Sequence, residues 1–122
     1  FKAAVCSYPV TDAVIDAVHT HKFERFYNNY LIGDLQRDYA AYVQRSPLNN
    51  ASAIQTPMAF FHGEDDAVVS PQQSVRLAET LRANGVPVTL RLYPGEGHGF
   101  KRPETILNYY QQVEDFLRLH LQ

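Results

Sequence analysis

Residues 57–69 read Pro57-Met58-Ala59-Phe60-Phe61-His62-Gly63-Glu64-Asp65-Asp66-Ala67-Val68-Val69. Met58 to His62 is a continuous apolar run after a proline, closed by Gly63 and three acids. A strand exposed on one face would alternate. A run without alternation points to a strand buried on both faces, as in a parallel sheet covered by helices. The chain downstream fits that frame. Ser70-Pro71 supplies a cap residue and a first-turn proline for a helix whose stripe is Val75, Leu77, Ala78 and Leu81. Asn84-Gly85 ends it. Residues 86–93 alternate through Val86, Val88, Leu90 and Leu92 and read as the next strand. Pro94 to Pro103 is a glycine-rich loop. Thr105 to Leu121 is a final helix, with Ile106, Tyr109, Tyr110, Val113, Phe116, Leu117 and Leu119 expected on its buried side.

Upstream, Ala3 to Tyr8 is a short strand ended by Pro9. Between Thr11 and Tyr30, Phe23, Phe26, Tyr27 and Tyr30 recur at helical spacing, and Gly33 stops that helix. Asp34 is the expected cap of a second short helix carrying Leu35, Tyr39, Tyr42 and Val43. Ser46-Pro47 and Asn49-Asn50 then read as a loop. Alternation of strands and helices implies an α/β fold with a mainly parallel sheet and right-handed crossovers. Residues 9–50 are long for one crossover. They suggest an inserted helical pair, a usual place for a substrate pocket.

The chain has 122 residues, 45% hydrophobic and 20% charged, with a net charge of −2. So balanced a charge argues against a nucleic-acid binder or a membrane-surface module, both of which concentrate basic residues. No apolar run approaches the ~20 residues of a membrane span. A single cysteine, Cys6, leaves no internal disulfide and no cysteine-based zinc site, and it reads as an inert small hydrophobe. His19-Thr20-His21 has the spacing of a zinc pair but no apparent third ligand. Neither a metal nor another cofactor is expected. Phe1-Lys2-Ala3-Ala4 opens as a strand already under way, so residue 1 is expected to fall inside a larger domain.

Two loops can carry chemistry. One is His62-Gly63-Glu64-Asp65-Asp66; the other is Gly95-Glu96-Gly97-His98-Gly99-Phe100. Both follow strands, and parallel α/β sheets bind ligands beyond the carboxyl ends of their strands. Asp66 and His98 are 32 residues apart, the length of one helix and one strand. A general-base histidine needs a partner to hold its tautomer and stabilise its imidazolium, and a carboxylate does this best. Glu64 and Asp65 compete with Asp66 for that role, and their plain reading is as solvated turn carboxylates.

The pattern H-G-x-x-D-x-x-V at 62–69, followed by a G-H-G loop before a terminal helix, resembles the end of an α/β-hydrolase. It most resembles the prolyl oligopeptidase family, near its acylaminoacyl-peptidase and dipeptidyl-peptidase branches. Ser46-Pro47-Leu48, Ile54-x-x-Pro57, Gln72-Gln73-Ser74, Leu81-x-x-x-Gly85 and Tyr93-Pro94-x-Glu96-x-His98-Gly99-Phe100 match too. The resemblance implies that residues 1–122 are the C-terminal portion of a peptidase catalytic domain, truncated upstream of residue 1. Asp66 would be the triad acid and His98 the triad base. The family nucleophile sits in G-x-S-x-G, ahead of the acid and the base. Ser7, Ser46, Ser52, Ser70 and Ser74 lack those glycines, so the serine is expected upstream and the isolated chain is expected to be inactive.

By the same resemblance the segment after the first strand would help line the substrate pocket, with Phe23, Phe26, Tyr27 and Tyr30 as candidates, and Val68, which follows Asp66 closely, is expected to face it. Simple helix packing is the competing reading of the aromatics. The implied parent is a serine peptidase acting on peptides, with an esterase of the same fold or a non-catalytic interaction module as alternatives. Loss of an upstream neighbour would leave an apolar edge strand, so self-association or pairing with an N-terminal half is expected. One free cysteine leans towards the cytoplasm.

Overall fold

A computed structural model describes every residue except His21, Phe23 and Arg25. Its elements are β1 (Ala4–Ser7), α1 (Ala13–His19), α2 (Tyr27–Leu31), α3 (Tyr39–Arg45), a 3-10 turn (Pro47–Ala53), β2 (Met58–Gly63), α4 (Gln72–Ala83), β3 (Val88–Tyr93) and α5 (Pro103–His120). The strands form a parallel sheet in the order β1-β2-β3. Cys6 stands beside Phe60, and Phe60 beside Leu90.

The unalternated run at 58–62 is explained by its two partners. Successive side chains of a strand face opposite ways. Phe60 packs with Leu77, Ala78, Leu81 and Val86 under α4. Phe61 and Ala59 pack with Phe116, Tyr109 and Val113 under α5. Both phenylalanines are completely buried, each contributing about 1.5–3 kcal/mol of transfer free energy. Helices therefore cover both faces of the central strand.

Several expectations are corrected. The aromatic stretch is not one helix: α1 ends at His19, and α2 begins at Tyr27 with Phe26 at its cap position. Phe26, Tyr27 and Tyr30 are 70%, 58% and 88% exposed, so their helical spacing marks no buried face. A five-residue helix presents barely one turn, too little to seat a stripe on the sheet. Phe23 and His21 lie outside the described residues. Asp34 does not cap a helix over Leu35. Its Oδ1 accepts from the Gln36 and Arg37 amides in a turn, and the helix starts at Tyr39. Residues 47–53 form a 3-10 turn rather than a loop. On α5, Ile106, Tyr110 and Leu119 face solvent, because a single-sided helix covers the sheet with only part of its circumference.

Candidate active site

β2 and β3 end side by side, and their two loops are zipped together by backbone hydrogen bonds. The Glu64 amide donates to the Tyr93 carbonyl at 3.0 Å, and the Asp65 amide to the Glu96 carbonyl at 2.9 Å. Gly63 is required at this closure, because a Cβ there would overlap the Glu96 carbonyl. His98 follows on the second loop. Gly99, at φ +118°, turns the chain behind it in a conformation that L side chains rarely adopt.

The zipper brings Asp66 and His98 together. His98 Nδ1 lies 2.9 Å from Asp66 Oδ2. Glu64 and Asp65 are exposed, whereas the Asp66 side chain is fully buried. The Asp66 Oδ1 accepts from the Val68 and Val69 amides, both at 2.9 Å. Burial pushes the carboxyl pKa up, but the Val69 amide, His98 and the Val68 amide outweigh it and hold it below the usual carboxylate value. Asp66 is therefore an anion, oriented by fixed donors. The His98 side chain is 38% exposed, and its Nε2 has no hydrogen-bond partner among the described residues.

His98 opens onto a cavity of about 610 Å³ between β1, α1, α2 and the Asp66 loop. Val10, Tyr27, Leu31, Val68 and Val69 line it. Of the sequence candidates, Tyr27 and Val68 reach this cavity; Phe26 does not line it.

Four site residues escaped the sequence reading. Tyr8 has φ +43°, a strained backbone for a non-glycine residue, and its ring lies 4.9 Å from the His98 ring. Phe100 joins Tyr8, Tyr93 and Tyr109 in an aromatic cluster that anchors the His98 loop. Val69, not only Val68, walls the cavity. His62, placed at the end of an apolar strand, is completely buried beside Asp66. A histidine closing an apolar run was the available signal, since buried polar groups need partners.

Among the described residues, no group of three or more His, Cys, Asp or Glu side chains could hold a metal ion. No helix among them is long and apolar enough to cross a membrane. Burial pushes the Cys6 thiol pKa up, which disfavours the reactive thiolate.

The sequence profile of the prolyl oligopeptidase family matches residues 1–122. The chain belongs to the prolyl oligopeptidase family. Among its relatives is dipeptidyl aminopeptidase BIII of Pseudoxanthomonas mexicana, 38% identical over 61% of this chain and 11% of its own length. Acyl-protein thioesterase 1 of Gibberella zeae is 36% identical over 71% of this chain and 33% of its own. The solved Mycobacterium tuberculosis puromycin-hydrolyzing peptidase superposes with a TM-score of 0.93 at 33% identity, over 98% of this chain and 18% of that one. The fold is thus that of the family's α/β-hydrolase peptidases, and the chain spans a small part of the length of these relatives.

Proposed function

We propose that the polypeptide carrying this chain is a serine peptidase that cleaves peptide bonds by acyl transfer, with residues 1–122 as part of its catalytic domain. The observation that carries this reading is the His98 Nδ1–Asp66 Oδ2 hydrogen bond, with His98 itself lining the cavity. Asp66 holds the imidazole with its proton on Nδ1, leaving the Nε2 lone pair free to accept. A serine hydroxyl brought to Nε2 would lose its proton there as its oxygen attacked the scissile carbonyl. The imidazolium, stabilised by Asp66, would then return that proton to the leaving amine. Water would repeat the sequence to release the acid and free the serine. None of the chain's serines stands between glycines, so the nucleophile and the oxyanion donors would come from residues before Phe1.

The cavity would take the side chain next to the scissile bond, with Tyr27 and Val68 in its apolar wall. Among the described residues β1 bonds β2 alone, so its other edge would pair with an upstream strand or a second chain. A cytoplasmic setting goes with the single free cysteine. The thioesterase relative supports a second reading, an ester hydrolase using the same pair.

The test is labelling of the full-length polypeptide with a serine-directed fluorophosphonate, followed by turnover of matched peptide and ester substrates. Labelling that disappears in His98→Ala, with peptide turnover in the unsubstituted protein, is the expected result. Ester turnover alone would favour the second reading. Labelling and turnover untouched by His98→Ala would overturn both.

A further inference from the structure

His62 lies outside the acid–base pair yet touches it. Its side chain is completely buried at the carboxyl end of β2. Its Nε2 is 3.1 Å from Asp66 Oδ2 and 2.9 Å from the Val69 carbonyl oxygen. Both neighbours are acceptors at the pH where Asp66 is ionised, so Nε2 carries a hydrogen and donates to them. At the far side of the ring, Nδ1 lies 2.7 Å from Ser74 Oγ on α4. Ser74, His62, Asp66 and His98 form a continuous hydrogen-bonded chain, and only its last member reaches solvent.

We propose that His62 is a positioning residue for the acid–base pair: its Nε2–H fixes Asp66 Oδ2 on the line to His98 Nδ1, and Ser74 holds the imidazole that does so. The inference rests on reading Asp66 and His98 as acid and base. The Asp66 carboxylate has four donors on two oxygens. Val68 and Val69 hold Oδ1, while His62 and His98 share Oδ2. The two amides belong to the same tight loop as Asp66 and move with it. His62 belongs to the central strand, so it alone ties the carboxylate to the sheet. Its second bond, to the Val69 carbonyl, ties down the loop itself, together with a residue of the cavity wall. Without His62, Asp66 could swing about its side-chain torsion while keeping both amide bonds, and His98 would follow.

Two variants of the full-length polypeptide separate positioning from packing. Glutamine can place an amide N–H where Nε2 stands, whereas leucine supplies volume and no donor. His62→Leu is expected to lower kcat about 10- to 100-fold with KM little changed, the size of loss that slight misplacement of a reacting group causes. His62→Gln is expected to recover most of it. A readout independent of turnover is the far-downfield proton NMR signal of His98 Nδ1–H, which should broaden or move in His62→Leu and persist in His62→Gln.

Should His62→Leu fail to fold, Ser74→Ala removes the anchor behind the ring and should give a smaller loss in the same direction. Wild-type kcat and an unmoved His98 signal in His62→Leu, or in Ser74→Ala if leucine does not fold, would overturn the proposal. So would equal losses in His62→Leu and His62→Gln that merely track the folded fraction. A His98 signal that responds as expected in a protein without peptide or ester turnover would keep the positioning role and sink the peptidase reading instead.

Discussion

The two halves of the chain are held in different ways. From Met58 onward, side chains are buried in apolar layers on both faces of a parallel strand, and the loops beyond are cross-linked by backbone hydrogen bonds. Among the described residues from Pro9 to Asn50, the α-helices are 7, 5 and 7 residues long, and Tyr27, Tyr30, Leu31 and Tyr39 are exposed. Polar clamps do the holding there. Gln73 on α4 accepts from the Thr11 and Asp12 amides with its side chain, and from the Thr11 hydroxyl with its carbonyl. The Ser46 hydroxyl accepts from the Ala13 amide and donates to the Tyr42 carbonyl. Buried Tyr42 donates its hydroxyl to the Gly33 carbonyl at 2.8 Å. The layered half fixes the Asp66–His98 pair, and the clamped half supplies much of the cavity wall. On the proposed function, the chemistry that tolerates little displacement would stand on the sheet, and the surface that meets substrate side chains on the short-helix segment.

The largest expected effect breaks the layered half at its centre. In Asp66→Asn an amide nitrogen replaces one carboxylate oxygen. If it replaces Oδ2, it faces the N–H groups of both His62 and His98 and offers them a donor. If the amide flips, it faces the amides of Val68 and Val69 instead. In the full-length polypeptide kcat should fall about 10³- to 10⁴-fold, the size of loss that follows when the base is held in the wrong tautomer. Asp16 is the matched control, since it lines the cavity and its carboxylate accepts from Asn28 Nδ2 at 2.8 Å. Steady-state kinetics should show Asp16→Asn within a few-fold of wild type. Comparable losses in both variants would erase the distinction between the halves.

Acid should separate the halves by degrees. Amide hydrogen bonds from Lys101 and Arg102, with the Thr105 side chain, hold Glu96 below its usual pKa against the opposing effect of burial. Asp66 is lowered as well, its amide and His98 bonds outweighing burial. A carboxyl whose folded pKa is depressed contributes stability above its unfolded pKa of about 4, and loses that contribution as pH falls through the folded value. Hydrogen-exchange protection at Val68, Val69, Lys101 and Arg102 should therefore drop as pH falls below about 4, while Phe60 and Leu90 in the sheet stay protected. In the clamped half Asp38 is also lowered, by its hydrogen bond to Arg37, but that pair is exposed. Its shift should shrink in high salt, which screens surface charges far more than buried ones. An Asp66 or Glu96 response equally sensitive to salt would break the comparison.

The same division decides what could be read from sequence. Residues 58–62, the stripe on α4 and the glycines around His98 each impose a local pattern that burial against a parallel sheet enforces, and the fold follows from them. The pairing of Asp66 with His98 was legible because two loops at successive strand ends must share a rim. His62 was not, because its partners, Ser74 and Asp66, meet it only through the turn into α4. Tyr8 was hidden for a similar reason, its role depending on a positive φ that no local residue type announces. Phe26, Tyr27 and Tyr30 misled because helical spacing records a face without saying whether anything covers it. Phe26 and Tyr30 have the period and remain in solvent.

Those aromatics also give the smallest and most discriminating test of the clamped half. Tyr27 and Tyr30 lie three residues apart on α2, share a chemistry and are both exposed, at 58% and 88%. Tyr27 lines the cavity and Tyr30 does not. Tyr30→Ser removes a ring that is almost wholly in water, so thermal unfolding should report a change within about 0.5 kcal/mol, with kinetics unaltered. Tyr27→Ser should be nearly as quiet in stability, because no apolar layer depends on it. In the full-length polypeptide it should raise KM a few-fold at constant kcat, the pattern of contacts made equally in the ground state and the transition state. If Tyr30→Ser moved KM as much as Tyr27→Ser, the wall of the cavity would extend beyond the residues that line it here. If Tyr27→Ser lowered kcat instead, the clamped half would be helping to hold the acid–base pair, and the division of labour between the two halves would have to be redrawn around α2.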